Sequence, residues 1–181
     1  MNIFVASDIH GSAFWCRKML EACEREGAER LLLLGDILYH GPRNDLPEQY
    51  APKEVFAMLN RLGDRTLAVR GNCEAEIDEL VLDFPIVSEC ALLCPNGRLI
   101  FATHGHVFNA EKLPPLHAGD ILLHGHTHRP CWERTPEGVR IFNPGSVSLP
   151  KDGSPRGYLT LRDGEALWKT LDGAVYHRSE L

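Results

Sequence analysis

The 181-residue sequence lacks the features of membrane, secreted and polyanion-binding proteins. No apolar run approaches the roughly 18 residues that a membrane-spanning helix needs. The opening residues, MNIFVASD, contain no basic segment followed by a long apolar one, so they do not resemble a signal peptide. Lysine and arginine are not clustered and the net charge is −6, which disfavours long nucleic acids as partners. We therefore expect a cytoplasmic protein, for which a small nucleotide substrate stays open.

The six cysteines also lack the spacing of a zinc knuckle or a disulfide framework, since none stands in a Cys-x-x-Cys pair. We interpret them as reduced thiols in packed positions, except for Cys73, which lies inside a motif. Hydrophobic residues make up 44% and charged residues 24% of the chain. This is an ordinary globular composition, and it predicts one domain over residues 1–181.

The first two thirds of the chain alternate short apolar runs with helical patterns. The apolar runs are Ile3–Ala6, Leu31–Leu34, Leu67–Val69, Leu99–Ala102 and Ile121–Leu123. Helices are predicted over residues 13–26 and from Pro52 onward, because apolar residues recur there at helical spacing. Beyond residue 130, short segments separated by Gly, Pro and Asp predict antiparallel strands. We therefore expect a sandwich of two sheets with helices packed outside.

Each of the five apolar runs is followed within three positions by an acid, amide or imidazole, the residue types that commonly bind metals. These residues are Asp8, Asp36, Asn72, His104 and His126, and His10 and His128 stand two positions beyond Asp8 and His126. In open sheets ligands gather at the carboxyl ends of the strands. If the five runs are neighbouring strands, these seven side chains converge on one crevice.

The mixture of carboxylate, imidazole and amide donors indicates which metals would bind. Without thiolate, such donors suit Mn²⁺, Fe, Zn²⁺ or Co²⁺ better than Ca²⁺. Seven ligands are too many for one tetrahedral ion and suit two ions that share a carboxylate and a bridging hydroxide. Taken singly the signals are weak, because an Asp after a strand is often a helix N-cap and Gly-Asp is common in turns. Five blocks in order predict a dinuclear site.

Five blocks of the sequence resemble, in order, the signature of the calcineurin-like metallophosphoesterase superfamily. They are Asp8-x-His10, Gly35-Asp36, Gly71-Asn72, His104-Gly105 and Gly125-His126-x-His128. Four longer matches, at 40–44, 71–74, 103–106 and 143–147, resemble the small bacterial phosphodiesterases of the YfcE type. The resemblance implies a four-layer αββα sandwich, two mixed sheets flanked by helices, with α/β or α+β character.

The same resemblance implies a ligand set and a reaction. One ion would be held by Asp8, His10, Asp36 and His128, and the other by Asp36, Asn72, His104 and His126. Mn²⁺ is the metal we expect first, with Zn²⁺, Fe, Co²⁺ or Ni²⁺ as alternatives. The expected activity is hydrolysis of small phosphodiesters by metal-bound hydroxide, with Asn72 and His104 also contributing to catalysis.

Cys73 departs from the superfamily pattern, in which many members have histidine after the Gly-Asn pair. A thiol could donate a proton to the leaving group, although it is a weak hydrogen-bond donor. Cys73 is therefore either a catalytic residue or a small spacer, and both interpretations stay open.

Three further residues are candidates for contact with the substrate. His106 follows His104 by two residues, so we expect it to point into the same crevice, as a catalytic, substrate-binding or supporting group. Arg43 and Asn44 lie in a loop after Asp36 and are predicted to bind substrate, the alternative being a loop held by its own hydrogen bonds.

Two other functions fit the same fold. The first is a phosphomonoesterase or nucleotide phosphatase on the same centre. The second is a non-catalytic scaffold, which a degraded ligand set would favour. A homo-oligomer, dimer or tetramer, is plausible for a small enzyme, but the sequence indicates no interface.

Overall fold

The computed structural model describes residues 1–181, apart from the side chain of Asn96. The structure contains three α-helices, two short 3₁₀ helices (Gly63–Arg65 and Pro95–Gly97) and eleven strands among these residues. The helices are α1 (Ala13–Arg25), α2 (Pro52–Asn60) and α3 (Asp78–Val81). The strands are β1 (Ile3–Ala6), β2 (Arg30–Leu33), β3 (Thr66–Ala68), β4 (Cys90–Leu93), β5 (Ile100–Thr103), β6 (Ile121–Leu123), β7 (Pro130–Arg134), β8 (Arg140–Pro144), β9 (Gly157–Arg162), β10 (Glu165–Thr170) and β11 (Val175–Glu180).

The strands form two mixed sheets. The six-stranded sheet has the order β11-β10-β9-β1-β2-β3, and the five-stranded sheet has the order β4-β5-β6-β8-β7. Strands β1, β2 and β3 are parallel, as are β5, β6 and β8. The carboxyl ends of each parallel set therefore share one edge of their sheet.

The cores follow from the alternation of side chains along each strand. In β1, Val5 belongs to the core between the sheets, together with Leu32 of β2 and Ile121 of β6. The neighbouring Phe4 faces the opposite way and belongs to the core under α1, together with Met19. Both faces of β1 are thus buried, which explains its continuous apolar sequence.

The outer face of the five-stranded sheet has a different cover. Leu122 and Ile141 of this face pack with Leu113 and Leu116, which belong to a segment at 104–120 that contains no helix. Pro114 and Pro115 explain this, since proline removes a backbone donor and disfavours helical geometry in the preceding residue. The predicted sandwich is correct, with an irregular segment replacing helix on this face.

Two strands and one helix were not predicted from the sequence. The edge strands β4 and β7 are partly exposed, so they lack the apolar runs that marked the central strands. The four-residue helix α3 is too short to show a helical period. No helix within the part of the chain that the structure describes is long and apolar enough to cross a bilayer.

Candidate metal centre

The seven candidate ligands lie just beyond the carboxyl ends of parallel strands from both sheets. Asp8 and His10 follow β1, Asp36 follows β2 and Asn72 follows β3, all in the six-stranded sheet. The other three, His104 after β5 and His126 and His128 after β6, come from the five-stranded sheet. The predicted convergence is therefore observed, and the centre spans the ends of both sheets.

Asp8, His10 and His128 form one cluster whose potential ligand atoms lie within 4.8 Å of one another. The two Nε2 atoms of His10 and His128 are 3.1 Å apart. Oδ1 of Asp8 is 3.7 Å from Nε2 of His10 and 3.4 Å from Nε2 of His128. This carboxylate oxygen is buried and has no hydrogen-bond partner.

The other ring nitrogens of these histidines fix their tautomers. Nδ1 of His10 lies 2.9 Å from the carbonyl oxygen of Tyr39, and Nδ1 of His128 lies 2.6 Å from that of Leu149. A carbonyl only accepts, so each Nδ1 is the donor and each neutral ring presents a lone pair at Nε2. Metal-binding histidines commonly donate their second nitrogen in this way. Two lone pairs and an orphaned carboxylate oxygen facing one another fit a cation.

Asp36, His104 and His126 form a second cluster of the same kind. Nδ1 of His104 donates to the carbonyl oxygen of Leu34 at 2.6 Å. Nε2 of His104 lies 3.1 Å from Oδ1 of Asn72 and 3.2 Å from Nδ1 of His126. Carboxylate, imidazole and amide donors are again gathered around one position.

Asp36 faces both clusters. Its Oδ2 lies 3.7 Å from Nε2 of His10, and its Oδ1 lies 3.4 Å from Nε2 of His104. The backbone amide of Cys73 donates to Oδ1 at 2.9 Å, which orients the carboxylate. The two oxygens are therefore placed to reach two different cations.

The electrostatics of the site favour positive charge. Burial opposes the charged form of His104, but the hydrogen bond to Asp36 and the charge of Asp8 outweigh it and raise the pKa of His104 to about 9. Burial and the charge of His104 lower the pKa of His126 to about 4, so that this imidazole stays neutral and able to bind a cation. The donor set thus fits metal ions in its chemistry and in its charge.

The backbone at the ligands is strained, which sequence reasoning did not predict. Of the eight non-glycine residues with positive φ in the described part of the chain, five are candidate ligands. They are Asp8, His10, Asp36, His126 and His128, with φ between 51° and 66°. Such conformations cost about 1–3 kcal/mol each and concentrate at functional sites.

Glycine allows the ligand loops to approach one another closely. Gly35 has φ 92°, and a Cβ atom there would lie 2.6 Å from the backbone nitrogen of Gly71 and 3.0 Å from Nδ1 of His104. The small residue that precedes Asp36 is thus required by the contact between the β2 and β3 loops as well as by its own turn.

Glu74 is a supporting residue that the sequence analysis left without a role. It is only 8% exposed, and its carboxylate accepts hydrogen bonds from the backbone amides of Asp36, Ile37 and Gly71 at 3.0, 2.7 and 2.5 Å. Burial, together with the charge of Asp36, raises the pKa of Glu74. The feature of the sequence that could have indicated this role is an acidic residue two positions after the candidate ligand Asn72.

A cavity of about 750 Å³ opens beside the two clusters. Its lining includes Arg43, Asn44, Arg129 and Lys151, while Asp36 is the only acid among the described lining residues. Asn44 also donates from Nδ2 to the carbonyl oxygen of His40 at 2.8 Å, so its side chain partly serves to hold its own loop.

His106 and Cys73 occupy different positions around the centre. His106 is exposed, with its ring centroid 5.4 Å from that of His104 and 6.2 Å from that of His126. Cys73 is half-buried in the cavity wall beside Asp36. Burial and the charge of Asp36 raise the pKa of the Cys73 thiol, which keeps its proton on sulfur.

Comparison with known families identifies the chain. The model for the calcineurin-like phosphoesterase superfamily domain matches residues 1–163. The chain belongs to this superfamily. Phosphodiesterase YfcE of Escherichia coli K12 is 47% identical over 158 residues, which are 87% of this chain and 85% of that protein. The predicted resemblance to the YfcE type is confirmed.

Solved structures agree with this assignment. The E. coli phosphoesterase YfcE superposes with a TM-score of 0.95 at 42% identity, covering 99% of both chains. Vps29 of Entamoeba histolytica, crystallised with Zn²⁺, has a TM-score of 0.59 at 19% identity over 99% of both chains. The second likeness shows the fold alone. The metallophosphoesterase sandwich predicted from the sequence is confirmed.

Proposed function

We propose that this superfamily member is a phosphodiesterase that hydrolyses small substrates at a centre of two divalent metal ions. The observation that carries the proposal is the position of Asp36, whose two carboxylate oxygens face separate groups of histidine ring nitrogens. The relation to YfcE, itself a phosphodiesterase, supports diesters as substrates. All seven candidate ligands are present, which disfavours a scaffold that has lost its metals.

The chain would divide its ligands between the two ions around Asp36. Asp8, His10 and His128 would hold one ion with Asp36, and Asn72, His104 and His126 would hold the other. When bound, such a pair supplies a water of lowered pKa and offsets negative charge on the phosphate. The protein holds the rings of His10, His104 and His128 through their Nδ1 atoms, so that each Nε2 faces the site and no ring has to reorient when a cation binds.

Residues of the cavity wall and its surroundings are proposed to supply the remaining contacts. Arg43 and Asn44 line the cavity and would bind the substrate from one loop. His106 is not among the described lining residues and would approach the substrate from the side of His104. Cys73 retains its proton and is a weak hydrogen-bond donor, so we propose that it assists the leaving group little. Diesters with good leaving groups would then be the best substrates.

The finer properties of the enzyme remain proposals as well. Mn²⁺ is the proposed metal, because oxygen and nitrogen donors without thiolate suit it. The cytoplasmic location, the single domain over 1–181 and a homo-oligomeric state stay predictions from the sequence. Activity on phosphomonoesters at the same centre is the alternative, and comparing kcat/KM for an aryl monoester and an aryl diester separates the two.

The test of the proposed centre is Asp36→Asn, with Asp64→Asn as the matched control. Asp64 is exposed and precedes β3, so it lies at the opposite end of that strand from Asn72. The wild type and D64N are expected to bind two Mn²⁺ ions per chain by calorimetry and to cleave bis-(p-nitrophenyl) phosphate. D36N should lose at least one ion and about 10³-fold in kcat. Full activity in D36N, or in wild type stripped by chelator, contradicts the proposal.

A further inference from the structure

The segment 143–149 connects the two halves of the metal centre. It begins at the end of β8 in the five-stranded sheet and leads toward β9 in the six-stranded sheet. Asp8 and His10 follow β1 of the six-stranded sheet, and His126 and His128 follow β6 of the five-stranded sheet. The spacing between these ligands therefore depends on how the ends of the two sheets are held together.

On the side of the six-stranded sheet, two serine hydroxyls converge on one carbonyl. Oγ of Ser146 and Oγ of Ser148 donate to the backbone oxygen of Asp8 at 2.8 and 3.0 Å. Both serines are buried, with exposures of 0% and 1%. The amide of Val147 donates to the carbonyl oxygen of Ser7 at 3.0 Å. These bonds hold the backbone of Asp8 in its left-handed conformation.

On the side of the five-stranded sheet, Asn143 holds the turn that carries the histidines. Its Nδ2 donates to the carbonyl oxygen of Gly125 at 2.8 Å and to Oγ1 of Thr127 at 3.1 Å. Asn143 has no exposed surface, and Nε1 of Trp168 donates to the backbone carbonyl oxygen of Asn143 at 2.7 Å. Gly125 and Thr127 flank His126, so these bonds hold the backbone of a second candidate ligand in the left-handed conformation.

The same segment also fixes the tautomer of His128. The carbonyl oxygen of Leu149 accepts from Nδ1 of His128 at 2.6 Å, and the amide of Leu149 donates to Oγ of Ser146 at 2.9 Å. The Ser146 hydroxyl is thus linked to Asp8 on one side and to the partner of His128 on the other.

We propose that Asn143, Ser146 and Ser148 are positioning residues that set the distance between the metal ligands of the two sheets. They do not touch the ions themselves. They act by holding the strained backbone of Asp8 and of the 125–128 turn, and by presenting the acceptor for His128. The inference rests on the proposed metal centre. A purely structural role in joining the sheets would instead affect folding without affecting metal affinity.

Ser148→Ala tests the proposal, with Ser154→Ala as control. Ser154 donates to the carbonyl oxygen of Lys151 at 2.7 Å, a bond of the same kind that involves no candidate ligand. Mn²⁺ affinity is measured by calorimetry on metal-free protein, and stability by urea unfolding in excess chelator. S148A should bind Mn²⁺ about 10–100-fold more weakly, the usual effect of losing a residue that orients ligands. S154A should bind as the wild type does.

Ser148→Thr restores the hydroxyl and should recover most of the lost affinity. Asn143→Ala tests the other sheet independently and should weaken Mn²⁺ binding to a similar extent, so the inference can be judged even where S148A does not fold. Equal Mn²⁺ affinities in the wild type and the folded variants, with only their stability in chelator reduced, would overturn the positioning role. A wild type that binds no Mn²⁺ would instead refute the proposed centre.

Discussion

The carboxylate of Glu74 lies between the loops that carry Asp36 and Asn72, and it accepts a hydrogen bond from the backbone amide of Asp36 at 3.0 Å. The same carboxylate oxygen accepts a hydrogen bond from the amide of Gly71, and the other oxygen accepts one from the amide of Ile37. An acceptor-only group therefore joins the turn after β2 to the turn after β3. The ligand proposed to serve both ions is held in place through its main chain.

Glu74→Gln is expected to weaken this junction. A glutamine presents an NH₂ group in place of one oxygen, so at least one of the three amides loses its acceptor. Leaving a buried donor unsatisfied costs about 1–3 kcal/mol of unfolding free energy, and Mn²⁺ affinity should fall about 10–100-fold. Urea unfolding in chelator and calorimetry measure the two effects.

Glu76→Gln is the matched control, because Glu76 is exposed and two residues further along. It should leave both quantities unchanged. If E74Q and E76Q bind Mn²⁺ equally well, then Glu74 does not position Asp36.

The candidate ligands could be predicted from the sequence because their signal is local. An apolar run followed by a small residue and a donor marks the carboxyl end of a buried strand, and Asp36 and His126 both show this pattern. The seven positions were found without any knowledge of which strands pair. The central strands could be predicted for the same reason, since burial on both faces requires a continuous apolar run.

The supporting contacts could not be predicted, because each depends on residues far apart in the chain. Ser146 and Asp8 are separated by 138 positions, and nothing near Ser146 indicates that its hydroxyl reaches a ligand. The left-handed backbone of His126 and His128 is likewise stabilised by tertiary contacts that oppose their local preference. The motif at 143–147 resembles the YfcE type in sequence, but the role proposed for it rests on contacts that only the three-dimensional structure shows.

The charged groups around Glu26, remote from the candidate metal centre, predict a pH dependence of stability. Oε2 of Glu26 lies 2.8 Å from Nζ of Lys169, and Oε1 accepts from the hydroxyl of Tyr158 at 2.6 Å. Burial alone would raise the pKa of Glu26, but the hydrogen bonds from Lys169 and Tyr158 outweigh it and lower the pKa below its ordinary value of 4.5. The ionised form is therefore favoured by folding.

Glu26→Gln should reduce the free energy of unfolding at pH 7 by about 1–2 kcal/mol. A carboxyl with a lowered pKa in the folded state stabilises the fold above its unfolded pKa, and this contribution is lost as the pH falls through the folded pKa. The difference between wild type and E26Q should therefore shrink below about pH 4. Urea unfolding at several pH values measures it. Glu24→Gln, at an exposed position near the end of α1 and two residues before Glu26, should show no such trend. A constant difference for E26Q would contradict the assignment.

Cys73→His should raise activity most on substrates with poor leaving groups. Cys73 lines the cavity beside Asp36, and its raised pKa leaves a thiol that donates hydrogen bonds weakly. An imidazole can protonate a departing alkoxide, and general acid catalysis contributes about 10²–10⁴-fold where the leaving group needs it. An aryl phosphodiester, whose leaving group needs no proton, should gain little.

The ratio of kcat values for an alkyl and an aryl diester measures the effect, with Cys73→Ser as a control of similar size. Equal gains on both substrates would show that residue 73 acts on binding or on the metals instead of on the leaving group.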